Sequence, residues 1–152
     1  MANGMVICDG CRVPEDKEHC CQGEEKIVVN DAPRDGPCDC WPCLEARVKL
    51  HGEVVRRLTA PADERFSVAL AFISLSEPHR HLAGVETYTL LSGKLAVYLG
   101  YGDEEYNLLT KPGATAHIPE GRRHWARSAD GKIAIVSVVS IPAWDPADHV
   151  YT

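Results

Sequence analysis

The sequence predicts an all-β jelly roll, two antiparallel sheets packed face to face, with a small N-terminal zinc-binding appendage. Three observations lead there. Short apolar runs, alternating or continuous, recur from residue 46 to residue 141. Turn signals separate them at close intervals: Ser92-Gly93, Gly100-Tyr101-Gly102-Asp103, Lys111-Pro112-Gly113 and Asp130-Gly131. All seven cysteines fall before residue 44, so the two parts of the chain differ in kind.

In chain order, the strand expectations are residues 46–51, 53–58, 66–75, 86–91, 94–99, 105–110, 114–118, 124–128 and 132–141. The first two are rich in Val and Leu, and 66–75 is an almost unbroken apolar run, the mark of a strand covered on both faces. Segment 86–91 alternates, so Glu86, Tyr88 and Leu90 share one face; from His124 the same parity selects Ala126 and Ser128. Residues 94–99 and 105–110 lie on either side of the Gly100–Asp103 turn signal. No segment carries a sustained helical stripe. Many short strands with close punctuation specify a double-sheet jelly roll.

A chain of 152 residues is one domain with room for an appendage. The composition, 45% hydrophobic and 25% charged, is that of a globular protein. A net charge of −6 offers no basic stripe for a nucleic-acid backbone or an anionic membrane. The N-terminus has neither the basic region nor the apolar run of a signal peptide, and residues 133–141 are too few to span a bilayer. A cytoplasmic protein is expected. In that compartment the cysteines call for metal rather than disulfides. The expected divisions are a cysteine-rich segment at 1–44, a barrel at 45–143 and a C-terminal arm at 144–152.

Cys8-Asp9-Gly10-Cys11 and Cys40-Trp41-Pro42-Cys43 are two CxxC knuckles 28 residues apart. Four thiolates complete a closed tetrahedral zinc site, so Cys8, Cys11, Cys40 and Cys43 are the expected ligands of one structural zinc. The segment resembles a zinc ribbon. It has too little apolar surface to fold unaided, and metal binding would contribute the missing energy. Cys20, Cys21 and Cys38, with His19, leave open a second zinc or free thiols.

The second constellation reads His79-Arg80-His81, then Glu86 and Gly93, followed by Gly113, Pro119, Gly121 and His124. Histidines at i and i+2 on a strand face the same way. A turn at Gly84 brings Glu86 to that side, and Pro119-Glu120-Gly121 starts the strand headed by His124. Three imidazoles and a carboxylate suit one divalent transition ion (Fe, Mn, Ni, Cu or Zn) and leave coordination positions open.

These residues resemble the two motifs of the cupin superfamily, HxH-x4-E-x6-G and G-x5-PxG-x2-H, with every defining position filled. The resemblance covers roughly residues 45–143. It implies a cupin double-stranded β-helix that holds the ion on His79, His81, Glu86 and His124. Cupins often carry Asn four residues after the last histidine, where this chain has Ser128. The chemistries implied are those of dioxygenases, decarboxylases, isomerases and lyases acting on a small molecule. The oxygenase is favoured because the 3-His/1-Glu set is frequent in that group. A noncatalytic metabolite- or metal-sensing module, its zinc segment docked on a partner, is the alternative.

Tyr88, two residues after Glu86, is the candidate catalytic side chain. It can orient a ligand or act as a base, although an aromatic there also packs. Phe72, Leu90 and Leu95 are expected in the pocket wall. Arg80 should face outward, Arg122 and Arg123 should be solvated, and His117 belongs to core or mouth. The tail through Trp144 and His149 is expected as an arm against the barrel or a neighbouring subunit. The open sheet edges and apolar 66–75 run predict a homodimer. For the appendage, Cys11→Ser should release zinc and expose residues 1–44 to protease while the rest survives, as metal analysis and limited proteolysis would read. Unchanged zinc content would move the ligands to Cys20, Cys21 or Cys38.

Overall fold

The computed structural model describes residues 41–152. Cys8, Cys11, Cys20, Cys21, Cys38 and Cys40 lie outside the described residues, as does the side chain of Cys43, and so does the expected zinc site. The described chain opens with helix α1 (Trp41–His51). Ten strands follow: β1 (Glu53–Arg57), β2 (Ser67–Ile73), β3 (His79–His81), β4 (Val85–Ser92), β5 (Leu95–Leu99), β6 (Tyr106–Leu109), β7 (Thr115–Ile118), β8 (His124–Ser128), β9 (Ala134–Ile141) and β10 (His149–Tyr151). They form two antiparallel five-stranded sheets, ordered β1-β2-β9-β4-β7 and β10-β3-β8-β5-β6.

Helix α1 corrects the strand expected at 46–51. Pro42 sits in its first turn, where a missing N–H costs nothing, and Leu44, Glu45, Ala46, Arg47 and Lys49 are good helix formers. Glu45 and Lys49 pair across one turn at 3.3 Å. Leu44 and Val48, four apart, are buried with Val54 against Phe72 and Ile133. That pair is the apolar stripe that was missed. It is too narrow to stand out in the sequence, yet burying each side chain is worth about 1.5–3 kcal/mol. Gly52 ends the helix at φ +83°. A β-carbon there would meet the Leu75 carbonyl oxygen at 2.1 Å, so only glycine fits.

The core lies between the two sheets. Ile73, Leu90, Val136 and Val138 come from one, and Leu95, Val97, Leu109 and Ala126 from the other. The sheets are not closed into a barrel, which corrects that detail of the expected architecture. Beyond α1, the expected strands fall within a residue or two of those observed, since each is bounded by a turn residue. The tail was not read as a strand, but β10 pairs with β3 in the register His149↔His81, Val150↔Arg80 and Tyr151↔His79.

Candidate metal centre

Strand β3 buries His79 and His81 and exposes Arg80 between them, as its period of two requires. Its other neighbour, β8, sets His124 opposite His79. Between His81 and Glu86 the chain bends through residues 82–84, around the carboxylate of Asp148. The Ala83 and Gly84 amides donate to Asp148 Oδ1 and Oδ2 at 2.7 and 3.0 Å. A β-carbon on Gly84 would lie 2.9 Å from Oδ2, so glycine lets the carboxylate in. The Pro119–Gly121 turn is tied to the same region, because Gly121 N–H donates to the His81 carbonyl at 2.8 Å.

One ligand atom from each of His79, His81, Glu86 and His124 lies within 4.8 Å of the others, and all four residues are buried. Glu86 Oε2 is 3.3 Å from His81 Nε2 and 3.4 Å from His124 Nε2. Bonds of about 2.0–2.2 Å to a shared ion put neighbouring donors about 3–3.5 Å apart. None of these three atoms has a hydrogen-bond partner among the described residues. The outer atoms of His79, His124 and Glu86 do. His79 Nδ1 faces the Glu77 carbonyl at 2.8 Å and His124 Nδ1 the Arg122 carbonyl at 3.0 Å. A carbonyl accepts only, so each ring keeps its proton on Nδ1 and turns the Nε2 lone pair inward. Ser140 Oγ donates to Glu86 Oε1 at 3.0 Å, leaving Oε2 for an ion.

The electrostatics agree at His79 and Glu86, whereas at His81 burial opposes protonation but the Glu86 and Asp148 carboxylates outweigh it and raise the pKa. Burial lowers the His79 pKa to about 3, aided by His124, so the ring stays neutral as a ligand must. Burial opposes ionisation of Glu86, but the imidazoles of His124 and His81 outweigh it and hold the carboxyl well below the usual range. The donor set therefore fits a divalent transition ion, on its chemistry and on its orphaned buried atoms.

A cavity of about 380 Å³ opens over His79, His81 and Glu86. Its room comes from small inward side chains: Ser67, Ala69 and Ala71 on β2, and Val138 and Ser140 on β9. The expected wall residues are elsewhere. Leu90 and Leu95 are core, and Phe72 faces outward beneath α1. Tyr88 does line the cavity, its ring edge-on to His124 at 6.3 Å. Burial, then the Glu86 and Glu53 carboxyls, push its phenol well above the ordinary value, so it stands as a proton-bearing hydroxyl. Arg122 is half-exposed and paired with Glu105. Arg123 donates to the Gly100 carbonyl at 2.7 Å, and exposed His117 pairs with Thr87. Ser128 holds the 128–132 turn through Asp130 and the Lys132 carbonyl.

No family model matches the chain, and no curated protein matches it in sequence. Solved structures do match. Pac13 of Streptomyces, described as a unique nucleoside dehydratase, superposes at TM-score 0.57 with 15% identity, over 67% of this chain and 79% of its own. A Klebsiella pneumoniae protein with a double-stranded β-helix domain gives 0.56 and 20%, over 66% and 84%. Oxalate decarboxylase of Bacillus subtilis gives 0.55 and 16%, over 66% of this chain and 28% of its own. The fold is the cupin double-stranded β-helix. At these identities the likeness establishes the architecture alone.

Four cupin-site neighbours escaped the sequence reading or were left without a role in it. Ser140 carried a signal, since its parity on β9 is that of Val136 and Val138. Asp148 and His149 carried none that separates them from a polar tail. In the fold, His149 stacks on His79 at 4.2 Å with rings 13° apart, and both its ring nitrogens are buried without a hydrogen-bond partner among the described residues. Glu53 opens the expected 53–58 run and has no role of its own in the sequence reading. It lines the cavity, and burial, then the Glu86 charge, raise its pKa to about 7.

Two outcomes follow. His81→Ala should abolish uptake of manganese(II), an ion poorly suited to thiolates, from about one equivalent to about a tenth, with the circular dichroism of the sheets unchanged. For Glu53, the folded carboxyl keeps its proton up to about pH 7, whereas the unfolded one loses it near 4.5. Between those values the native state binds more protons, so this group's contribution to stability falls as pH rises. In chelator-treated protein, the stability of Glu53→Gln relative to wild type should climb across that window, by on the order of 1–3 kcal/mol in total, and level off above it. Denaturant titrations at stepped pH check this, and a flat difference curve would refute it.

Proposed function

We propose that this chain is a metal-dependent enzyme that moves a proton within a small organic molecule held in the cavity. One observation carries the reading: Glu53, a carboxyl poised near neutrality, shares a small cavity with the buried His79/His81/Glu86/His124 set. The Glu53 carboxyl makes no hydrogen bond or ion pair among the described residues. The fold itself is neutral on the reaction, since similar structures include a dehydratase and a decarboxylase.

An ion on the four ligands would polarise a carbonyl or carboxylate oxygen and so acidify the neighbouring carbon. The rest falls to this chain's own groups. Glu53, whose carboxyl burial raises toward neutrality, takes a proton from that carbon in its ionised form. It then returns the proton to another carbon, which is isomerisation, or to a departing hydroxyl, which leaves as water. Tyr88 keeps its proton and donates a hydrogen bond that orients the molecule. Ala69, Ala71 and Val138 keep that side of the cavity apolar.

The ligand set supports a second reading. Four protein donors leave positions open for a substrate and O₂, and the oxygenase remains the alternative on that ground. Deuterium exchange from D₂O into a panel of small 2-oxo and hydroxy acids, followed by NMR on the metal-loaded chain, separates the two. We expect exchange under strict anaerobiosis, about 100-fold slower in Glu53→Gln and only several-fold slower in Tyr88→Phe. Oxygen consumption matched to product, with no exchange, would replace this reading by the oxygenase.

A further inference from the structure

The inward row of β1 is Glu53, Val55 and Arg57, and all three line the cavity. At about 3.3 Å per residue, the Glu53 and Arg57 α-carbons are about 13 Å apart, so the two charged groups stand at different places along the cavity. Arg57 stands opposite Ala69 in the β1–β2 register, and both residues line the cavity.

Arg57 is held in place but not neutralised. Its Nε faces Thr59 Oγ1 at 3.3 Å, and its Nη2 donates to the Ala60 and Asp63 carbonyls at 3.1 and 3.2 Å. All three acceptors are uncharged. The nearby Asp63 carboxylate is taken by Arg65 at 3.1 Å. Arg57 has no carboxylate partner among the described residues, and its Nη1 makes no hydrogen bond there. A fixed, half-buried cation with one donor nitrogen to spare, facing a cavity, is matched by a single carboxylate. A phosphate calls for more donors than this end provides.

We infer that Arg57 forms an anion subsite, and that the substrate is a small organic acid. Its carboxylate meets Arg57, and a second oxygen function reaches the His79/His81/Glu86/His124 end. This identification of substrate class rests on the function proposed above, but it can stand or fall separately. Two acids, Glu53 and Glu86, at one end and one cation at the other orient such a molecule in a single direction. They also disfavour a neutral analogue, which would leave Arg57 unpaired in the cavity.

The competing role for Arg57 is to clip the loop after β1, and the test separates charge from loop order. Isothermal titration with glutarate and with its neutral diamide, glutaramide, is run on the whole chain, manganese-loaded and chelator-treated. Arg57→Gln should weaken glutarate binding by about tenfold or more in both forms and leave glutaramide unaffected. Thr59→Val removes a loop contact but keeps the charge, and it should change glutarate binding by less than about twofold. Wild-type affinity for glutarate in Arg57→Gln, an equal loss for glutaramide, or an equal loss in Thr59→Val would each overturn the subsite. Manganese stoichiometry is read in parallel. Failure to bind the ion would remove the metal-dependent reading, and the Arg57→Gln effect would still decide the subsite.

Discussion

Three buried atoms with nothing to bond to are the constraint on which this fold turns. His81 Nε2, His124 Nε2 and Glu86 Oε2 face one another across 3.3–3.4 Å without a hydrogen bond among the described residues. Leaving a buried polar atom unsatisfied costs about 1–3 kcal/mol, more when it is charged. The surroundings are arranged to maintain that state. Two backbone carbonyls and one serine hydroxyl take up the outer atoms of His79, His124 and Glu86, which resists rotation of those three groups. Strand pairing then fixes the spacing, with His124 opposite His79 in one sheet and Glu86 supported by Ser140 in the other. A divalent ion held by these residues would convert the cost into a gain.

The cavity has its own cost. A well-packed sheet pair would fill it with branched side chains, as the Leu90–Leu95–Val136 end does. At the other end, β2 and β9 offer Ser67, Ala69, Ala71 and Ser140, and the packing lost there becomes binding volume. Helix α1 works in the opposite sense. By covering Phe72 from outside, it lets β2 be apolar on its outer face without a partner chain at that position. The outer-face argument for a dimer is correspondingly weaker there than the sequence alone made it.

Most of the fold and the meeting of His79, His81, Glu86 and His124 were legible, because both depend on local rules. A strand's period of two puts His79 with His81 and Glu86 with Tyr88, and glycine and proline mark where each strand stops. What was not legible depends on distance along the chain. Glu53 reads as a strand's polar first residue; only its pairing with Ile73 and its approach to Glu86 and Tyr88 set it in the cavity. Phe72 failed as a wall residue for the converse reason: its strand was right, but which face met the core depended on α1. That helix was missed because its buried stripe is one pair, Leu44 and Val48, in an otherwise polar segment.

The tail shows how far such distant pairing reaches. Residues 145–151 look dispensable in sequence, yet Asp148 holds the 82–84 bend and lies 3.8 Å from His81 Nδ1. That separation is too long for a hydrogen bond but close enough for its charge to favour the ring's outer N–H. His149 stacks on His79, and Tyr151 continues the pairing with β3. Strand β3 has three residues and only one paired position with β8, so most of its ladder is supplied by β10. Two of the four ligands therefore stand on a strand that the end of the chain holds in place. The metal centre is built as much by the last nine residues as by the motif that announces it.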